Sequence, residues 1–122
     1  MSITRIYRSD GTALPLNARR CDTFLCRLRG LTFRSRLAED EGLLFIEKHE
    51  GRLLTAIHML FVFCDIGVVW INAQGRVVDA KRAKPFRLYY APREPARCYL
   101  EGPPALLDWI EIGETLTFDP PV

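Results

Sequence analysis

Ile3 to Arg8 alternates between apolar and polar side chains and ends at Ser9-Asp10-Gly11, which predicts a strand followed by a hairpin turn. Ala13 to Leu16 continues as a short strand confined to an edge, because Pro15 has no N–H to donate to a ladder. From Asn17 the period changes. Phe24, Leu25, Leu28 and Leu31 recur at helical spacing, which predicts one main helix of about three turns, capped by Asn17 or Asp22 and stopped at Gly30. Gly42 to Ile46 reads as a buried strand, with a turn at Lys48 to Gly51. The longest apolar block is Ala56 to Gly75. In extended form, Ile57, Met59, Phe61 and Phe63 share one face, and Ala56, His58, Leu60 and Val62 share the other. Both faces are mostly apolar, so a central strand covered on both sides is expected. Cys64-Asp65-Ile66-Gly67 breaks the pattern. Gly67 to Ile71 is a second strand, and Asn72 to Gly75 turns it into a partner over Arg76 to Lys81. Lys84 to Pro95 is an extended loop, Arg97 to Glu101 a strand, Pro103 to Trp109 a short helix and Glu114 to Phe118 a closing strand. The sum is a single mainly-β domain over residues 1–122 with one main helix, a β-sandwich or partly open barrel.

Composition narrows the function classes. The 122 residues carry a net charge of only +2, too little to demand a polyanionic partner. The charge is uneven, because residues 1–37 hold eight arginines against Asp10 and Asp22. Solvated faces of a helix and its flanks account for that asymmetry. The N-terminus shows no signal peptide and the apolar block is too interrupted to span a membrane, so a cytoplasmic protein is expected. Cys21, Cys26, Cys64 and Cys98 admit three pairings, and reduced thiols are the expectation in that compartment. With His49 and His58 they make no zinc spacing, so neither a metal nor a cofactor is expected. The chain also lacks a nucleophile elbow, a phosphate-binding P-loop and a dinucleotide fingerprint.

The order of several motifs adds a family. Arg27-Leu28-Arg29-Gly30-Leu31-Thr32-Phe33-Arg34 comes first, then Glu41-Gly42-Leu43-Leu44-Phe45 and Ile57-His58-Met59-x-Phe61. Ile66-x-Val68-Val69-x-Ile71-x-x-x-Gly75-x-Val77-Val78 follows, then Ala96-x-x-Tyr99-Leu100-Glu101 and Ile112-Gly113-Glu114. From about Asn17 to Phe118 this resembles the bacterial and archaeal domain-of-unknown-function 192 family. The resemblance implies a compact jelly-roll-like β fold and brings no established reaction. The chain departs from the family pattern after His58-Met59: Gly67 stands at the usual aspartate and Asp65 at the usual proline. Asp65 is a candidate substitute for that aspartate, because a shift of two residues keeps a carboxylate on one face of a strand.

Five residues form the candidate ligand site: Arg34, Arg36, His58, Asp65 and Glu101. His58 sits among apolar neighbours, where a satisfied core histidine is the commoner outcome and an acid/base or ligand contact the sharper one. Glu101 suits a buried pairing with Arg34 or Arg36, or the orientation of a ligand. The two arginines suit a forked anion site, or pairing with Glu39 to Glu41. Phe86, Tyr89 and Tyr90 among Lys84, Arg87 and Arg93 have the composition of a single-strand nucleic-acid platform. The low net charge and the absence of a recognised nucleic-acid module weigh against it. A Cys64–His58 nucleophile pair needs the chain to fold back at Cys64, since six extended residues span about 20 Å. The reading that follows is a ligand- or partner-binding module without catalysis. A small enzyme using His58 with Asp65 or Glu101 is the first alternative, and a nucleic-acid accessory protein acting through the arginine-rich segment the second.

Overall fold

The structure, a computed structural model, describes residues 3–21, 26, 30–31, 37–52, 55–59, 62–87 and 89–122. Among them the chain forms strands β1 (Ile3–Tyr7), β2 (Asn17–Arg20), β3 (Glu41–Gly51), β4 (Ile66–Ile71), β5 (Val77–Ala83), β6 (Ala96–Gly102) and β7 (Thr117–Asp119), with one short helix, α1 (Leu106–Trp109), before β7. All seven strands join one sheet in the order β5-β4-β6-β3-β2-β1-β7. The β2–β3 pair is parallel and the others are antiparallel.

β4 shows how sequence becomes architecture. Its β-branched and aromatic residues are all buried, because successive side chains leave opposite faces and both faces are covered. Val69 and Ile71 enter one core, and Ile66, Val68 and Trp70 enter another. The first core draws on every strand, from Ile6 of β1 to Phe118 of β7, and Leu106 of α1 packs into it. The sheet curls around this core. Leu116 donates its N–H to the Gly75 carbonyl at 2.8 Å and Val77 to the Glu114 carbonyl at 2.9 Å, so the approach to β7 meets the start of β5 at the opposite edge. The fold is therefore mostly β, a single open sheet rolled towards a barrel. The second core lies on the outer face of β3, β6, β4 and β5, roofed by Cys21, Leu31, Ile57, Met59 and Val62 from irregular chain.

Local signals explain most elements. At the Asn72–Gly75 turn, Asn72 Oδ1 accepts the N–H groups of Gln74 and Arg76 at 3.0 and 2.9 Å, and Gly75 takes a φ of +85°. The predicted strands over Gly42–Ile46, Gly67–Ile71 and Arg97–Glu101 and the helix before Trp109 are present, with shifted ends.

Four expectations are corrected. Asn17 does not begin a helix: Asn17–Arg20 is β2, held between β1 and β3, and pairing on both edges overrides the helical pattern. Most of the predicted helix lies outside the described residues. Its stop is visible, since Gly30 donates to the Cys26 carbonyl at 2.7 Å and adopts a φ of +51°. Ala13 to Leu16 contributes a single bridge, Tyr7 to Ala13, and not a strand.

Ala56 to Phe63 is likewise not a central strand among its described residues. Both edges of β4 are taken by β5 and β6, so none is left for it. Ile57 instead exchanges backbone hydrogen bonds with Tyr90 at 2.8 and 2.9 Å. Met59 donates to the Arg87 carbonyl at 2.7 Å and accepts from Phe86 at 2.8 Å. The two segments form a flap that roofs the second core, and Trp70 Nε1 secures it through the Thr55 carbonyl at 2.7 Å. Leu60 and Phe61 lie outside the described residues. Finally, Cys21 and Cys26 form a disulfide where reduced thiols were expected. Their Cα atoms lie 5.4 Å apart, within bonding range. Among the described residues no helix is long and apolar enough to cross a membrane.

Candidate functional site

Glu101 is the residue on which a site can be built. It stands in β6, opposite Leu43 of β3 and Val68 of β4, and residues directly opposite in a sheet share a face. Leu43 and Val68 belong to the second core, so the Glu101 carboxylate enters that core as well. It is 7% exposed. Phe45 and Tyr99 form the neighbouring cross-strand pair, with rings stacked 4.6 Å apart at 7°. Above them runs the Gly30 turn, so close that a side-chain carbon at Gly30 would lie 3.7 Å from Phe45 Cζ and 3.9 Å from Glu101 Oε1. Burial alone acts on the carboxyl and pushes its pKa up to about 7. Among the described residues no cation or hydrogen-bond donor reaches it.

The other sequence candidates fall elsewhere. Asp65 precedes β4 and is bound by Arg82 Nε at 2.8 Å and Lys84 Nζ at 3.3 Å. The Arg82 bond, then the Lys84 bond, hold its carboxyl below the usual range against a partial desolvation. Arg82 sits opposite Gly67, so its side chain leaves the sheet on the face opposite to Val68 and Glu101, and Asp65 goes with it. His58 is exposed on the flap, between Ile57 and Met59, which point into the second core. A core histidine was the expectation; the flap's alternation turns the ring outward instead. Arg34 and Arg36 lie outside the described residues. Cys98 is buried in the first core, where desolvation pushes its thiol up to about 12 and keeps it unreactive.

Sequence reasoning missed Asp79. Its carboxylate is 1% exposed and accepts N–H groups from Arg93 at 3.0 Å and Ala80 at 2.9 Å. Lys81 Nζ and Arg93 Nε each lie 3.5 Å from it, and Lys81 also donates to the Ala91 carbonyl. This cluster fastens the loop after β5 against the sheet. In Val77-Val78-Asp79-Ala80 nothing marks the aspartate as inward-facing, because its orientation depends on a register shift between Trp70 and Ile71. Among the described residues no group of three or more His, Cys, Asp or Glu is placed to hold a metal ion.

A small rolled sheet, apolar within and carrying its described buried carboxylates on the roofed outer face, defines a class of β-rich module. The chain belongs to the DUF192 family, described as uncharacterized ACR, which matches over residues 5–118. It is 39% identical over 100 residues to a UPF0127 protein of Thermococcus gammatolerans, covering 80% of this chain and 63% of that relative. The match thus spans less than two thirds of that protein's length. A UPF0127 protein of Pyrococcus furiosus is 32% identical over 113 residues, covering 91% of this chain and 94% of its own. Two bacterial structures share the fold. One, from Sinorhizobium meliloti and described as a candidate transcription regulator, superposes with a TM-score of 0.81 at 20% identity over 96% of this chain and 92% of its own. The other, a protein of unknown function from Novosphingobium aromaticivorans, gives 0.76 at 18% identity over 93% and 82%.

Proposed function

We propose that this protein is a binding module without a reaction of its own, and that its ligand or partner offers a cationic donor, an ammonium or guanidinium, to Glu101. The observation that carries this reading is a carboxylate sealed into an apolar core without a countercharge among the described residues. Burying an unpaired polar group costs roughly 1–3 kcal/mol, and more for a charge, so packing alone favours an apolar residue there. An arriving cation removes that cost, and the stacked Phe45–Tyr99 pair supplies aromatic surface beside it. A pKa near 7 also suits a general acid or base, which is the alternative reading. It lacks support from a second group, since His58 is on the flap and Asp65 on the other face.

A calorimetric and thermal-shift titration with a panel of alkylamines and guanidines tests the proposal. A binder at 100 times its dissociation constant adds about 2.7 kcal/mol of stability. At pH 7 it also releases a fraction of a proton as Glu101 ionises, and both signals vanish in Glu101→Gln. Equal binding by Glu101→Gln, or stabilisation by phosphates or sugars and by no cation, defeats the reading.

A further inference from the structure

The tip of the flap carries a surface that the Glu101 site does not use. Phe63, Phe86 and Tyr89 are 44%, 52% and 59% exposed, and Phe63 and Phe86 meet edge-to-face with centroids 5.4 Å apart. Phe86 holds a φ of +65°, a conformation that a bulky side chain rarely adopts. Three contacts hold the surrounding backbone there: Phe86 N–H to the Met59 carbonyl at 2.8 Å, Met59 N–H to the Arg87 carbonyl at 2.7 Å, and Lys84 N–H to the Tyr90 hydroxyl at 2.9 Å. Tyr90 is thereby committed to the scaffold. Phe86 is not, since its ring points to solvent and joins neither core. A strained backbone that puts an aromatic ring into water is a feature of presentation, not of packing.

Along the chain, Phe86 is flanked by basic residues, Lys84 and Arg87, both exposed. Arg82 and Lys84 share the single carboxylate of Asp65, and the exposed Arg87 lies between Phe86 and Tyr89 in the chain. Arg93 is turned to the buried Asp79 and is not counted. We propose that Phe63, Phe86 and Tyr89 form a stacking platform for a single-stranded nucleic acid, with Lys84 and Arg87, the basic residues that flank Phe86 in the chain, meeting its phosphates. Bases stack on exposed rings whatever their identity, and a small local excess of positive charge gives weak, salt-sensitive attachment. A net charge of +2 argues against a tight polyanion binder and is compatible with a platform of two or three phosphates. An acidic peptide would match the charge but leave the rings without flat partners.

Anisotropy of a labelled oligothymidylate tests this with the full chain. Affinity is expected to fall about tenfold between about 50 and about 200 mM salt. Phe86→Gly is the informative variant, because glycine accepts the positive φ without strain. It is expected to unfold at the same temperature as the native chain or higher, and to bind about tenfold more weakly. Tyr89→Ala, which removes an exposed ring that belongs to neither core, is expected to weaken binding by a similar factor without changing stability. The proposal is overturned by native affinity in Phe86→Gly and Tyr89→Ala. It is overturned too by absence of oligonucleotide binding at low salt, or by attachment to phosphatidylserine vesicles that depends on Phe86 while the oligonucleotide is ignored.

Discussion

The two faces of the sheet are built from the same strands and differ in almost everything else. The inner face collects apolar side chains from all seven strands, mostly aliphatic, and α1 packs against it. The outer face uses four strands, is roofed by Cys21, Leu31 and the flap, and among the described residues holds two buried carboxylates, a disulfide and a stacked aromatic pair. Regular elements satisfy their own backbone, so the inner face needs few polar side chains; Thr4, which accepts from Arg20 Nε at 2.7 Å, is its fully buried one among the described residues. Irregular cover cannot satisfy its own backbone, and it relies on contacts such as Trp70 to Thr55 and Arg93 to Asp79. In this molecule stability is concentrated inside and chemistry under the loops.

The largest expected effect comes from placing chemistry on the wrong face. Gly67 occupies the position where the family pattern carries aspartate, and a side-chain carbon there would lie 2.9 Å from the Pro103 carbonyl oxygen and 3.3 Å from Leu106 Cβ. Gly67→Asp is expected to lose about 3 kcal/mol in urea unfolding, through overpacking and a buried charge. An undiminished midpoint would show that α1 yields, and that the inner face is not sealed against charge.

Glu101 tests the outer face through pH. Its proton is held more tightly in the folded chain, at about 7 against 4.5 in the reference state. The native protein therefore binds more protons than the unfolded one between those values, and this group's contribution to stability is full below pH 4.5 and lost as pH rises to about 7. At about 1.4 kcal/mol per pH unit the loss is about 3 kcal/mol. Glu101→Gln is expected to remove this slope, ending more stable than the native chain at pH 8 and level with it near pH 4.5. A gap that does not change with pH between those limits contradicts the assignment. The smallest effect belongs to the rim, where Asp65→Ala removes two solvent-screened ion pairs and should leave the midpoint unmoved. A clear loss there would extend the structural role of the inner face to its border.

Much of this was legible in the sequence where local chemistry decides the outcome. The Asn72–Gly75 turn, the Gly67–Ile71 strand, the Gly30 stop and the helix before Trp109 follow from turn residues, β-branching and proline placement. Where tertiary pairing decides, the pattern misled. Asn17–Arg20 reads as the start of a helix but is recruited between two strands, and Ala56 to Phe63 reads as a central strand but finds both β4 edges occupied. The site divides in the same way. Glu101 is named by its place after Tyr99-Leu100, whereas the separation of Asp65 from it follows from strand register. The inward turn of Asp79 likewise depends on a bulge, which periodicity does not encode.

The single parallel pair has a consequence of its own. β2 and β3 begin at the same end of the sheet, so the chain that joins them has to travel back along the sheet's length before β3 can start. Twenty residues separate Arg20 from Glu41, and of the described ones Cys21, Gly30 and Leu31 lie against the outer face. The topology requires a crossover between β2 and β3, and Gly30, which belongs to it, lies beside Phe45 and Glu101. A lineage can rewrite what the carboxylate meets by substitution within one stretch of chain while every strand pairing stays as it is.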